Sequence, residues 1–335
     1  MKILWIHLWL ISMVSSSLMA QESRMIMTVM GPILPEHMGS TLIHEHLLVD
    51  FIGADQYDPT SWDHADVADV VLPFLEQVKA LGTKTLIECT PAYLGRDIPM
   101  LVALSQRSGL NLITNTGYYG AVDNKFLPDH AFTETAEELA SRWIAEWEQG
   151  IEGTGIRPGF IKIGVNSGDL SPLHQKLVMA AALTHVATGL TIASHTGPSL
   201  AAFQQLELLE KAGVASNAFI WVHAQAEKDK SKHVAAAEKG AWISLDGIGE
   251  QNLEEYLEFL LHLKSKKLLH RVLISHDAGW YSPREEKGGE FRPFSTIWEK
   301  FMPLLLSKGF TQEECHQLLE KNPARAFSVQ KRLLQ

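Results

Sequence analysis

Cysteine is scarce in this chain, since only Cys89 and Cys315 occur among 335 residues. Two cysteines cannot form the disulfide framework of a small secreted scaffold. Cys89 lies in the apolar run TKTLIECT and Cys315 lies in a helical pattern, and free cysteines in such patterns are mostly small core residues. We therefore expect neither a disulfide bridge nor a cysteine nucleophile.

Positive charge is also in short supply, because 29 lysines and arginines stand against 39 aspartates and glutamates. The formal net charge is −10, and no stripe of basic residues stands out. We therefore expect no nucleic-acid partner. With 46% hydrophobic and 20% charged residues, the composition is that of a globular protein with one large domain or two ordinary ones.

The N-terminus carries an apolar run that is too short to span a membrane comfortably. The letters ILWIHLWLISMV follow Lys2, and SSSLMA precedes Gln21. A positive start, an apolar run and a small-residue end are typical of a secretory signal. We predict a signal peptide over residues 1–20, a mature chain that begins near Gln21, no membrane span, and a secreted or periplasmic location. The alternative is a buried amphipathic strand or helix.

Short runs rich in Ile, Val, Leu and Thr recur along the rest of the chain and alternate with helical patterns, several of which end in Gly. Eight runs are predicted strands: 40–46, 83–90, 110–117, 159–164, 190–197, 218–225, 241–247 and 271–277. Strands that alternate with helices indicate a parallel sheet, and eight units in about 290 residues indicate an α/β fold of the closed (β/α)8 TIM-barrel type. The alternative is a doubly wound open sheet, but no G-x-G-x-x-G follows the first strand. We predict a single barrel domain over residues 21–335.

Polar residues occur at the carboxyl ends of these predicted strands, where the active sites of such barrels form. His44 and His46 share one face of the first strand, whereas Glu45 points the other way. Four more polar residues belong to strands four, five, six and eight: Lys162, His195, His223 and Asp277. A single histidine at a strand end is usually a structural residue. Several together are costly to bury unless a metal ion satisfies them, so the sequence predicts a metal site.

Lys162 is the unusual member of this set, because a protonated ammonium would repel a cation. Reaction of its amine with carbon dioxide would give N6-carboxylysine, an anionic carbamate whose two oxygens can bridge two metal ions. The alternative is a lysine that extends to solvent or forms a salt bridge at the rim of the barrel. Taken alone, the residue favours this second interpretation.

Six motifs occur in order between about residues 27 and 328: GSTLIHEHLLVD, GFIKIG, ASHTG, VHAQAE, ISHDAGW and NPARAF. They resemble the phosphotriesterase family of the amidohydrolase superfamily. The resemblance implies two divalent metal ions, commonly Zn²⁺, bridged by the carboxylated strand-four lysine and a hydroxide. It also implies that His44, His46 and Asp277 hold the more buried ion and that His195 and His223 hold the other.

The same resemblance implies a metal-dependent hydrolase in which the metal-bridging hydroxide attacks a small-molecule substrate and Asp277 is the catalytic proton acceptor. We expect cleavage of an ester-type bond, first a lactone or carboxyl ester, with phosphotriester cleavage as a further activity of the same centre. The alternatives are an amidase acting on small N-acyl compounds and a non-catalytic metal-binding periplasmic barrel. The sequence is compatible with a homodimer and does not determine the oligomeric state.

The chain also departs from the family patterns near the predicted site. Gly247 follows Asp246 in LDGIG, where phosphotriesterases have His and acyl-homoserine lactonases of the family often have Arg. The aspartate expected soon after the strand-six histidine is missing, so no proton relay beyond Asp277 is predicted. Tyr119 in TGYYG and Trp280 just after Asp277 are candidate substrate-binding residues, and simple loop packing is the alternative for Tyr119.

Overall fold

The computed structural model describes residues 24–334. The predicted signal peptide and the predicted mature start at Gln21 lie outside the described residues. The described chain begins with an antiparallel hairpin of Ile26–Thr28 and Gly31–Ile33. Among the described residues, no helix is long and apolar enough to cross a membrane.

Eight parallel strands, β1 to β8, form the centre of the structure, and each coincides with one of the eight predicted runs. They are Thr41–Leu48 (β1), Thr85–Glu88 (β2), Asn111–Ile113 with Asn115–Thr116 (β3), Phe160–Gly164 (β4), Ile192–His195 (β5), Phe219–Val222 (β6), Trp242–Leu245 (β7) and Val272–Ile274 (β8). Each strand pairs in parallel with the next strand along the chain. Within β3, Asn111–Ile113 pairs with β2 and Asn115–Thr116 pairs with β4.

The barrel closes where the chain after β8 returns to β1. The backbone N–H of Asp277 donates to the carbonyl of His44 at 3.0 Å, and the N–H of His46 donates to the carbonyl of Ala278 at 2.9 Å. A short strand, Gly279–Tyr281, then continues parallel to β1. The fold is therefore the predicted (β/α)8 TIM barrel, and its seam lies beside the predicted metal ligands.

Seven longer helices, α1 to α7, follow the first seven strands in turn. They are His64–Ala80 (α1), Ile98–Ser108 (α2), Ala136–Gln149 (α3), Pro172–Thr188 (α4), Ser199–Lys211 (α5), Lys230–Lys239 (α6) and Leu253–Ser265 (α7). Shorter helices are Asp129–Thr133 and, after β8, Ile297–Phe301, Met302–Ser307, Gln312–His316, Gln317–Lys321 and Asn322–Phe327.

Local sequence explains where these helices begin and end. The Asp63 carboxylate caps α1 by accepting from two backbone N–H groups, and Thr135 forms a capping box with Glu138 at the start of α3. At the other end, Gly189 and Gly240 end α4 and α6 in the left-handed conformation, which glycine adopts without a Cβ clash.

Alternation along the strands separates two apolar layers. Ile43, Ile87, Ile113, Phe160 and Leu273 are buried inside the barrel, whereas their sequence neighbours pack outward against the helices, among them Leu42, Leu86, Leu112, Ile161 and Val272. This period of two is what a strand imposes on its side chains. Polar side chains are thereby left to the two ends of the barrel. The two cysteines are free and buried, as the sequence predicted.

Candidate metal centre

All of the sequence-predicted site residues line one cavity at the carboxyl ends of the strands. They come from β1, β4, β5 and the segments that follow β3, β6 and β8: His44, His46, Lys162, His195, Tyr119, His223, Asp277 and Trp280. The barrel therefore brings together side chains that are distant in sequence, as the strand-end pattern predicted.

The closest contacts in this group join β1, β4 and the segment after β8. Nε2 of His46 lies 3.2 Å from Oδ1 of Asp277, and Nε2 of His44 lies 3.8 Å from the same oxygen. Nζ of Lys162 lies 3.3 Å from Nε2 of His44. The nitrogen and oxygen atoms of His44, His46 and Asp277 are close enough to one another to hold a metal ion.

The second pair of histidines faces the same space. The rings of His195 and His223 have centroids 4.5 Å apart, and the His223 ring lies 5.1 Å from that of His44. The hydroxyl of Tyr119 lies 3.0 Å from Nδ1 of His195. Tyr119 therefore contacts a predicted ligand outside its own loop.

A buried polar atom in this group tests whether the residues fit a metal ion. Oδ1 of Asp277 makes no hydrogen bond within residues 24–334, although it is buried. A buried carboxylate oxygen without a donor is costly. A divalent cation between this oxygen and the facing histidine nitrogens would satisfy it. The donor set of imidazoles and one carboxylate is also the set that zinc-type ions prefer, so the residues fit the group.

The outer nitrogen of three of these histidines is held by a hydrogen-bonding partner. Nδ1 of His46 lies 2.8 Å from Oγ1 of Thr90. Nδ1 of His223 lies 2.7 Å and Nδ1 of His44 lies 3.3 Å from the carboxylate of Asp246. A carboxylate accepts the proton of Nδ1–H, so both rings are held in the tautomer whose Nε2 is free to bind a cation.

Asp246 is a site residue that sequence reasoning missed. It follows β7, is fully buried, and accepts from five donors: Nδ1 and N of His223, Nδ1 of His44, Oγ of Ser244 and Nε2 of Gln225. Burial acts to raise the pKa of the Asp246 carboxyl, but its interactions with His223 and His44 lower it well below its ordinary value. The available signal was an aspartate at the end of a strand, at the same end of the barrel as the predicted ligands.

Burial keeps most of the histidines neutral. It lowers the pKa of His44 to about 4, with a further contribution from the neighbouring lysine, and it lowers the pKa of His46. It also lowers the pKa of His195 well below the ordinary value. Burial acts in the same direction on His223, but the charge of Asp246 raises the His223 pKa overall. Neutral imidazole is the form that binds metal ions.

Lys162 is buried among these groups and does not reach the rim of the barrel. Its side chain is only 2% exposed, so the interpretation as a lysine that extends to solvent is wrong. Within the described residues it forms no ion pair, and its hydrogen-bonding partner is Nε2 of His44. A charged ammonium in this position would lack a counter-ion within contact distance, which is costly.

Hydrogen bonds to Glu45 hold strand β1 against the segment that carries Asp277. This buried carboxylate accepts from Oγ of Ser275, from N and Nδ1 of His276 and from N of Ala278, all at 2.7–3.1 Å. Nε2 of His276 in turn accepts from the N–H of Ile297. Both residues point away from the cavity, as their position on the strands predicted, and they fix the backbone on either side of Asp277.

The backbone itself is strained at the cavity. His223, Asp277 and Trp280 have φ values of 58°, 54° and 76°, in the left-handed region that costs non-glycine residues free energy. Such a conformation persists only where surrounding contacts hold it. All three residues line the cavity, so the strained positions carry side chains of the predicted site.

The wall above the predicted ligands is apolar. Val49, Phe51 and Leu94 line it together with Tyr119 and Trp280. The Trp280 ring lies 5.3 Å from that of Phe51 and 5.7 Å from that of His46. Trp280 therefore reaches the cavity, and its indole N–H has no acceptor within the described residues. Among the described residues that line the cavity, the buried lysine is the one basic side chain besides the histidines.

Comparisons with known proteins agree with this geometry. The model of the phosphotriesterase family matches residues 24–327. The phosphotriesterase homology protein of Escherichia coli is 31% identical over 86% of this chain and 98% of its own. The N-acetyltaurine hydrolase of Xenopus tropicalis is 25% identical over 90% of this chain and 97% of its own.

A solved structure shares the whole fold. A mutant of a phosphotriesterase-like lactonase from Deinococcus radiodurans superposes with a TM-score of 0.81 and 28% identity, over 90% of this chain and 99% of its own. The match of the family model and of both chains over most of their length, together with the barrel and its cluster of histidines, places this chain in the phosphotriesterase family of hydrolases.

Proposed function

We propose that this protein is a binuclear metal-dependent hydrolase of neutral, ester-type substrates, with lactones or carboxyl esters first and phosphotriesters as a further activity. The observation that carries the proposal is a cavity with ligand-type side chains at its base and an apolar wall above them. A cavity of this kind suits a polar reacting bond attached to an apolar group.

The predicted ligands divide between two ions. His44, His46 and Asp277 would hold one, and His195 and His223 would hold the other, with Lys162 between them as N6-carboxylysine. Zn²⁺ suits imidazole and carboxylate donors. When bound, such ions polarise a carbonyl or phosphoryl oxygen and lower the pKa of water to near neutrality.

The side chains of this chain would then orient the substrate and move the proton. Asp277 would hold an ion through Oδ1, which has no hydrogen-bond donor among the described residues, and its other carboxylate oxygen would accept a proton as the nucleophile attacks. The Tyr119 hydroxyl can turn from His195 to donate to a carbonyl or ring oxygen. Phe51 and Trp280 would hold the apolar part of the substrate and exclude water from the reacting bond.

Substrate charge separates this proposal from the amidase alternative. The relative named N-acetyltaurine hydrolase has a substrate name that denotes a sulfonate anion, and an anion needs a cationic partner in an apolar pocket. No arginine lies among the described residues that line this cavity. A neutral substrate therefore fits the cavity better than an N-acyl compound with an acidic tail.

The test is metal analysis followed by a substrate panel. We expect about two transition-metal ions per chain and the highest kcat/KM for a lactone or carboxyl ester among esters, neutral and acidic N-acyl amides and phosphotriesters. An amide or phosphotriester that exceeds every ester about 100-fold, or about 2.7 kcal/mol in transition-state binding, would replace the substrate class. Protein that binds metal but cleaves no substrate of the panel would support the non-catalytic metal-binding barrel, and protein without stoichiometric metal would contradict the proposal.

We also propose that the protein is exported. The support is the signal-like pattern of residues 1–20 in the sequence. N-terminal sequencing of the native protein should begin near Gln21. An intact Met1 would contradict export by cleavage of this segment.

A further inference from the structure

Another cavity, larger than that of the candidate metal centre, lies at the opposite end of the barrel. It has a volume of about 820 Å³ and lies near the amino ends of β6, β7 and β8, under the last helix. Its lining contains four of the ten arginines of the chain: Arg24, Arg271, Arg325 and Arg332. We call this cavity the arginine pocket. Such a concentration is unexpected in a protein with a net charge of −10.

Two of these arginines stack on the ring of Trp242. The guanidinium carbons of Arg271 and Arg325 lie 5.2 Å and 5.9 Å from the ring centroid, within the range of cation–π attraction. The indole N–H donates to the carbonyl of Asn217 at 3.1 Å, which fixes the ring in place. The two guanidinium groups are therefore held near each other despite their like charge.

The positive charge of the arginine pocket is not balanced by carboxylates within residues 24–334. Arg271 and Arg325 form no ion pair among these residues, and Glu36 is the one acidic side chain in the described lining. Burial and, to a smaller extent, the charge of Arg271 lower the pKa of Arg332 to about 10. Arg332 nevertheless remains protonated at neutral pH.

The arginines have different free hydrogen-bonding capacity. Arg332 donates to the carbonyls of Arg325, Ala326 and Ser328 and to Oγ1 of Thr191, so it holds the C-terminus of the last helix and contributes charge alone. Arg271 has no side-chain hydrogen bond among the described residues, and Arg325 is exposed. Their N–H groups point to no protein acceptor and are available to a ligand.

We propose that the arginine pocket binds an anionic phosphate group. The planar guanidinium fork matches the oxygens of phosphate, two such forks are held beside Trp242, and the cavity is large enough for the group. The phosphate can come from a small phosphorylated solute or from the headgroup of an anionic phospholipid. This site does not depend on the proposed hydrolase activity.

The experiment compares the wild type with the R271Q/R325Q double variant, using the full mature protein. R157Q is the matched control, because Arg157 also stacks on a tryptophan, Trp147, at 5.2 Å, outside the arginine pocket. Binding of inorganic phosphate is measured by calorimetry and by the shift in Tm against chloride at equal ionic strength. Phosphate at the metal centre would affect all three proteins equally, so the difference between them reports on the arginine pocket.

We expect the double variant to bind phosphate at this site at least tenfold more weakly, whereas R157Q retains the wild-type Kd. In phosphate-free buffer the double variant should have a Tm equal to or above that of the wild type, because like charges are no longer held together. Flotation with vesicles of phosphatidylglycerol or phosphatidylcholine distinguishes the sources: wild-type binding to the anionic vesicles alone, lost in the double variant, would assign a lipid headgroup.

Two results would overturn the proposal. One is phosphate binding and vesicle binding that are the same in the wild type and the double variant. The other is a lower Tm of the double variant in phosphate-free buffer together with unchanged phosphate binding, which would assign the two arginines to packing on Trp242.

Discussion

Replacement of Asp246 by asparagine should weaken metal binding without removing any proposed metal ligand. The carboxylate accepts from Nδ1 of His223 at 2.7 Å and lies 3.3 Å from Nδ1 of His44. Asparagine has nearly the same shape but offers one acceptor oxygen and an NH₂ group that donates. At least one histidine would then face a donor, and its ring would move its proton to Nε2, the nitrogen that should bind the metal.

The size of the effect follows from what outer partners of metal-bound histidines contribute. Their loss typically weakens metal affinity or activity about 10- to 100-fold, or about 1.4–2.7 kcal/mol. His44 and His223 belong to different proposed ions, so both ions should be affected. The fall in affinity should therefore lie towards the larger figure for at least one of the two ions.

The assay is competition for Zn²⁺ between metal-depleted protein and a chromophoric chelator, with metal content and kcat/KM measured on the same preparations. D69N is the matched control, because Asp69 is exposed on α1 and the same chemical change there should leave both affinities at wild-type values. If D246N bound both ions within about threefold of the wild type, Asp246 would not orient the ligands and the tautomer argument would be refuted.

Three further predictions concern neighbouring groups. K162A should lose metal and most of its activity, with partial rescue by a short carboxylic acid; unchanged metal content would contradict a bridging role. Burial raises the pKa of Glu88 from 4.5 to about 8, so its contribution to stability is present below pH 4.5 and is lost as pH rises through about 8. Urea unfolding at several pH values should show a flatter dependence for E88Q, and an equal slope would refute this. Arg284 binds buried Asp50 through Nε and Nη2, so R284Q should lower kcat/KM about tenfold by loosening the loop of Trp280; an unchanged value at full metal content would contradict it.

The barrel and the meeting of the candidate ligand side chains at one end of it could be predicted from the sequence, because both depend on short patterns. A period of two with flanking helices identifies a strand wherever it occurs, and all eight predicted strands are present. Parallel strands in a closed barrel place their carboxyl ends on one face. His44 and Asp277 could therefore be placed together without knowledge of any tertiary contact.

The outer partners could not be predicted because they depend on contacts between distant strands. Asp246 follows β7 and contacts His44 of β1 and His223, which follows β6. Its position at a strand end was the one available signal, and that position alone does not show which histidines it contacts. Glu45 was predicted to point outward, but its four donors come from the segment after β8. The same limit applies to the apolar wall, since loop residues such as Phe51 and Leu94 follow no period.

The apolar wall and the predicted ligands are not independent parts of this protein. A Cβ on Gly279 would lie 1.9 Å from the carbonyl oxygen of His46, and a Cβ on Gly117 would lie 2.2 Å from that of Lys162. Both glycines have φ values above 90°, so only glycine allows these close approaches without strain. Each is followed within two residues by a side chain of the wall, Trp280 or Tyr119. The backbone of the predicted ligands therefore packs directly against the loops that carry the apolar wall, and substitutions at Gly117 or Gly279 should alter metal binding as well as the wall.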